Sequence, residues 1–221
     1  MLTRNLPSNM MTIPMAVLGI IVVTSSDGRT QASRTPEPLV LDMNGNGYRL
    51  TSADTGVMFA LDGSGVPERI AWTAAGSDDA FLAIDENHNG RIDDGRELIA
   101  GVSGPPNGFG ALNAYDGFAS PADLAAGTNR RPDGLLTERD AIFSRLLLWT
   151  DANHNGLSEE TELESVVHAG ITTIYLGIKD LSRPDGLGNV LHYESTALRS
   201  NQSGVQVPRT VMSIRFLRLS Q

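Results

Sequence analysis

The sequence predicts an α+β fold in which irregular acidic loops sit between short helices, followed by a small antiparallel sheet and a C-terminal β segment. Three observations carry that prediction. DENHNGRID at 85–93 is repeated as DANHNGLSE at 151–159. Stretches with helical spacing flank the second copy, and beyond residue 170 the apolar period changes from helical to alternating.

The elements follow in order. Short apolar pieces at Leu39–Leu41, Val57–Leu61, Ile70–Trp72 and Phe81–Ile84 alternate with Gly/Asn/Asp turns. Phe109, Leu112 and Tyr115 recur at threes and predict a short helix, and residues 116–134 read as a loop. Thr137 is a suitable N-cap for a helix to Trp149, with Ile142, Phe143, Leu146 and Trp149 on one face. A second helix is expected from Ser158 to about His168, stopped by Gly170. ITTIYL (171–176), NVLHYEST (189–196) and TVMSIRFLRL (210–219) predict strands, two of them joined by the turn at 182–189.

Composition narrows the function. The chain has 221 residues, a net charge of −9 and no cysteine. That excludes disulfides, thiolate zinc sites, iron–sulfur clusters and a cysteine nucleophile. The acidic balance argues against nucleic acid and anionic lipid as partners. Arg4 precedes a short apolar run, Ile13–Val23, and small residues follow at Thr24–Ser26 and Ala32. This pattern predicts an export signal over 1–32, a polar linker over 33–37, a loop-bearing module over 38–176 and a β appendage over 177–221. The expected location is secreted or periplasmic, with no membrane association once the signal is removed.

The repeat points to calcium. Calcium takes six to eight oxygen ligands, and a 12-residue loop offers them from positions 1, 3, 5, 7, 9 and 12, with glycine at 6 for the sharp turn. Asp151, Asn153, Asn155, the Leu157 carbonyl, Glu159 and Glu162 fall on those positions, and Gly156 falls on the turn. Ser158 stands at position 8, where an apolar residue ordinarily pairs two such loops, so no sister-loop ladder is expected. In the other copy, Asp85, Asn87, Asn89, the Arg91 carbonyl and Asp93 fit, but position 12 is Arg96. Glu97 follows it, and a positive φ at Gly95 would absorb the extra residue. Asp42, Asn44 and Asn46 open a third loop whose position 12 is Ala53, so a cation site and a plain turn both remain open there. Counting from Asn129, Asp133 and Asp140 take positions 5 and 12, but Arg131 blocks position 3 and no calcium is expected. His88 and His154 occupy position 4 and are expected in solvent, while Trp72 and Trp149 are expected in the core.

Several segments in order, PLVLDMNGNG (38–47), LDGSGVPERIAW (61–72), DDAFLAIDENHNGRIDDGRELIAG (78–101), NGFGALNAYD (107–116) and DGLLTERDAIFSRLLLWTDANHNGLSEETEL (133–163), resemble secreted bacterial EF-hand proteins related to the self-processing module of RTX proteins. The resemblance implies irregular EF-hand loops and calcium-dependent folding. In RTX proteins this module cleaves an Asp-Pro bond at its own start when calcium binds, through attack of the aspartate carboxylate on its own carbonyl. Here the corresponding bond is Glu37–Pro38, no Asp-Pro occurs, and residues between Asp116 and Asp133 interrupt a loop that is compact in that module.

The expected function is therefore calcium binding that stabilises the fold of an exported, non-enzymatic protein. Self-processing and a calcium-ordered adhesion module are the alternatives. With few acids and several Asn per loop, the expected affinity is weak, on the order of 10⁻⁴–10⁻³ M.

Overall fold

The computed structural model describes residues 35–102, 107–128 and 130–219. The expected export signal lies outside these residues. The described chain is mostly β. Its strands are β1 (Leu39–Asp42), β2 (Val57–Phe59), β3 (Glu68–Ile70), β4 (Asp79–Ala83), β5 (Leu135–Thr137), β6 (Leu147–Trp149), β7 (Leu163–Ser165), β8 (Ile171–Tyr175), β9 (Lys179–Pro184), β10 (Val190–Ser200) and β11 (Gln206–Arg215). Among the described residues the only α-helices are α1 (Gly108–Asn113) and α2 (Pro121–Ala126).

All strands but β2 and β3 form one curled antiparallel half-barrel, ordered β5-β8-β10-β11-β1-β4-β6-β7. β9 pairs with β10 beside β8, and β2 and β3 form a separate hairpin. The C-terminal segment is central to this sheet, because β11 lies between β10 and β1. A short apolar strand such as LVLD is buried throughout because both faces of the sheet are covered. Leu39, Leu41, Ala80 and Leu82 pack on one face with Phe109 and Leu112 of α1. Val40, Phe81 and Ala83 pack on the other with Val57, Phe59 and Ile70 of the hairpin. Trp72 and Trp149 are fully buried in this second cluster, their ring centroids 5.6 Å apart.

The α+β expectation is thus overturned. The expected helix 137–149 is strand β5, a 3-10 turn at Phe143–Arg145 and strand β6. The expected helix 158–168 is a 3-10 turn at Glu160–Glu162 and strand β7. The physical reason is burial on two faces. Leu146 and Leu148 enter the first cluster while Trp149 enters the second, with Leu147 packed against it. A helix presents one apolar stripe and cannot serve two opposed cores; a strand can.

Candidate metal centre

The two repeated acidic loops, 85–97 and 151–162, follow β-strands and have no α-helix directly beside them. Loop B (85–97) leaves β4, and the Ile84 amide donates to the Glu97 carbonyl at 2.8 Å. Loop D (151–162) joins β6 to β7, and the Thr150 amide donates to the Glu162 carbonyl at 3.0 Å. The closing glutamate of each loop therefore faces the residue just before its opening aspartate.

Inside the loops one hydrogen-bond frame recurs. The Asp85 carboxylate accepts from the amides of Asn89 (3.2 Å) and Gly90 (2.8 Å). Asp151 accepts from Asn155 (3.0 Å) and Gly156 (2.9 Å). Glu97 closes loop B by accepting from Glu86, Asn87 and Asp93, and Glu162 closes loop D by accepting from Ala152, Asn153 and Glu159. The position-9 acid is gripped by both asparagines: Asn87 and Asn89 donate to Asp93, and Asn153 and Asn155 donate to Glu159. Arg91 and Leu157 stand at position 7, where their amides close turns onto Asn89 and Asn155. Burial, reinforced by its hydrogen bond with Glu159, pushes the Glu162 carboxyl above the usual range; that same bond, and then Asn155, hold Glu159 below it.

The frame appears twice more. In loop A (42–48), Asp42 accepts from Asn46 (3.1 Å) and Gly47 (2.7 Å). The acid missing from its twelfth position is supplied by Asp78, just before β4, which accepts from the Asn44 amide at 2.8 Å and the Asn46 side chain at 2.9 Å. In loop C (116–117 with 133–140), Asp116 accepts from Asp133 (3.2 Å) and Gly134 (3.0 Å). Asp140 closes it by accepting from Gly117 (2.7 Å) and Thr137 (2.9 Å). The intervening residues close on themselves through the Arg131 amide and Gly117 carbonyl, 2.9 Å, so the frame survives the insertion. The sequence reading missed Asp78 and placed the start of loop C at Asn129. Asp116 was findable: Asp133-Gly134 with Asp140 seven residues on is the second half of the repeat, and Asp116 ends the preceding helical stretch.

Loops B and D meet through a side chain: the Ile92 amide donates to Ser158 Oγ at 2.7 Å. Two further expectations change. Gly95 does not have the positive φ expected of it; a Cβ there would lie 1.8 Å from the Leu61 carbonyl oxygen, so close approach is what requires glycine. His154 is not simply in solvent, since its ring nitrogens lie 2.7 Å from the Thr73 carbonyl and 2.8 Å from that of Thr55.

Glu37, read from the sequence as linker, is a buried anchor. His192 Nδ1 (2.7 Å) and Ser213 Oγ (3.0 Å) meet one carboxylate oxygen, and Arg215 donates to the other. His192 reaches it from a bulge in β10.

With this geometry in view, the SPM domain family model matches residues 39–212. The chain belongs to the SPM domain family. It is 30% identical over 167 residues to the iron-regulated protein FrpA of Neisseria meningitidis serogroup C, covering 75% of this chain and 14% of that protein. This SPM chain therefore spans about one seventh of that relative's length. The family corrects the resemblance drawn from the sequence: the match is to the SPM domain and not to an EF-hand family, and the helices an EF-hand needs are strands here. Among the described residues of the SPM domain, no three His, Asp or Glu side chains are already gathered closely enough to hold a metal ion. No helix among them is long and apolar enough to cross a membrane.

Proposed function

We propose that this SPM domain binds calcium at the paired loops B and D, and that the ion stabilises its hairpin tips. The observation that supports this best is the frame shared by the two loops. Each holds an Asp, two Asn, a second acid and a closing Glu round one turn, and Ser158 ties the turns together. The donors on offer are all oxygen, which suits a hard cation and not zinc or copper. Asp85, Asn87, Asn89, Asp93 and Glu97 would hold one ion, and Asp151, Asn153, Asn155, Glu159 and Glu162 the other. When bound, the ion supplies positive charge to acids that otherwise face one another. Glu159 and Glu162 share a hydrogen bond in loop D, the pairing that a cation relieves. The apolar run at Ile13–Val23 after Arg4 supports export.

Calorimetric titration tests the reading. Wild type is expected to bind calcium with Kd on the order of 10⁻⁴–10⁻³ M. Glu97→Gln with Glu162→Gln should lose most of the binding heat and keep the melting temperature seen in chelator. Unchanged titrations would contradict the assignment.

A further inference from the structure

We propose that Asn44 is a site of spontaneous self-modification, in which the Gly45 amide nitrogen attacks the Asn44 side chain and releases ammonia. The inference goes beyond the calcium reading and requires no bound metal.

Asparagine is a chemically labile residue, and a following glycine, lacking a side chain, leaves its own nitrogen open to attack. Five such pairs occur: Asn44-Gly45, Asn46-Gly47, Asn89-Gly90, Asn107-Gly108 and Asn155-Gly156. The nitrogen must approach the side-chain carbonyl carbon, Cγ, so the asparagine has to be free to turn. Four of the five are held. Asn46 Nδ2 donates to Asp78 at 2.9 Å. Asn107 Oδ1 accepts from the Gly110 amide at 2.8 Å, at the start of α1. Asn89 and Asn155 are held at both ends: each donates to its position-9 acid, Asp93 or Glu159, and accepts from the amide of Arg91 or Leu157. Asn44 is exposed, and among the described residues its side chain makes no hydrogen bond.

The glycine amides do not separate the pairs, since all five are donors. Asp42 accepts from Gly45 and Gly47 at 2.7 Å, Asp85 from Gly90 at 2.8 Å and Asp151 from Gly156 at 2.9 Å. Gly108 donates to the Glu37 carbonyl at 3.0 Å. What sets loop A apart is its fourth position. Gly45 has φ +76°, and His88 and His154 hold the same left-handed conformation in loops B and D, at 61° and 60°. The third-position residues Asn87 and Asn153 are therefore each followed by a bulky ring, and Asn44 is followed by glycine.

The step balances. A bond forms between the Gly45 nitrogen and Asn44 Cγ, the Cγ–Nδ2 bond breaks, and ammonia leaves with the amide proton. Water then opens the cyclic imide at either carbonyl, giving aspartate or isoaspartate, and nothing is oxidised or reduced. The product places one more negative charge beside Asp42 and Asp78, which hold the Gly45 and Asn44 amides.

The test incubates the full chain in chelator, folded and in denaturant, and follows each pair by peptide mapping for aspartate and isoaspartate. A held side chain must first break its hydrogen bond, which slows conversion by about two- to tenfold per bond. In the folded protein Asn44 should therefore convert first, about two- to tenfold ahead of Asn46 and Asn107. In denaturant the five pairs should convert at similar rates. Gly45→His copies the residue of loops B and D, and a Cβ at Gly45 meets only the Arg209 guanidinium, 3.4 Å away. It should slow conversion at Asn44 several-fold. Asn44→Gln, whose longer side chain has to close a larger ring, should abolish conversion here and leave the other pairs unchanged. Another pair converting first in the folded protein, a folded ranking no different from that in denaturant, or unchanged conversion in Gly45→His overturns the proposal.

Discussion

Replacing Asp151 with alanine is expected to destabilise the protein twice over. The first loss needs no metal. Asp151 is 1% exposed and its carboxylate holds the amides of Asn155 and Gly156. Removing it leaves the Gly156 amide unpaired and the Asn155 amide with the Asn153 side chain alone, inside a turn that has Gly156 at φ +72°, packed against Val57 and the Met58 carbonyl. That costs about 1–3 kcal/mol. The second loss appears only in calcium. A site filled at about 100 times its Kd adds about 2.7 kcal/mol to wild type, and the variant forgoes it. Denaturant titrations of both proteins should therefore differ modestly in chelator and by roughly twice as much in calcium at about 100 times Kd, which is about 10–100 mM for the expected affinity. Equal differences in the two buffers would mean that loop D is a structural turn.

The other large effect is expected at the start of the sheet. Glu37 is 3% exposed and carries the charge that Arg215 neutralises. Arg215→Ala leaves that carboxylate with His192 and Ser213 alone. Breaking a buried pair by removing one partner costs about 3–5 kcal/mol. Half of the Arg215 side chain faces solvent, so the lower end of that range is the expectation. The damage should concentrate where Glu37 enters the sheet, since its amide donates to Ala100 and its carbonyl accepts from Gly108. A carboxylate held by three side chains is not free to attack its own backbone carbonyl. Intact-mass spectra in calcium should accordingly show the Glu37–Pro38 bond unbroken; a new N-terminus at Pro38 would refute that. A melting shift below about 1 °C for Arg215→Ala would show that the pair contributes little.

The turn-forming residues of the loops were legible in the sequence, and their setting was not. Asp-x-Asn-x-Asn-Gly fixes a turn whatever flanks it, because the aspartate and glycine satisfy the backbone locally. Those residues therefore identified loops B and D and the opening of loop A. What flanks a turn depends on packing elsewhere. Ile142, Phe143, Leu146 and Trp149 are spaced for a helix, but Leu147 and Leu148 between them are apolar as well. A run that is apolar at every position from Leu146 to Trp149 marks a strand buried on both faces. Asp78 could not be assigned to loop A from spacing, since strand pairing brings it there from far along the chain. Asp116 was separated from its loop partners by an insertion that folds back on itself. Glu37 looked like linker because its partners, His192, Ser213 and Arg215, all lie in the last strands. Long-range pairing, which defines a β-sheet, is what a local period does not encode.

The most direct test of the metal-stabilised fold is the thermal unfolding of the full chain in millimolar calcium, in millimolar magnesium and in chelator. Calcium should raise the midpoint by several degrees for each filled site, magnesium should leave it near the chelator value, and Asp151→Ala with Glu162→Ala should abolish the share of the rise that loop D contributes. Identical midpoints in the three buffers would contradict the account and reduce the loops to hydrogen-bonded turns.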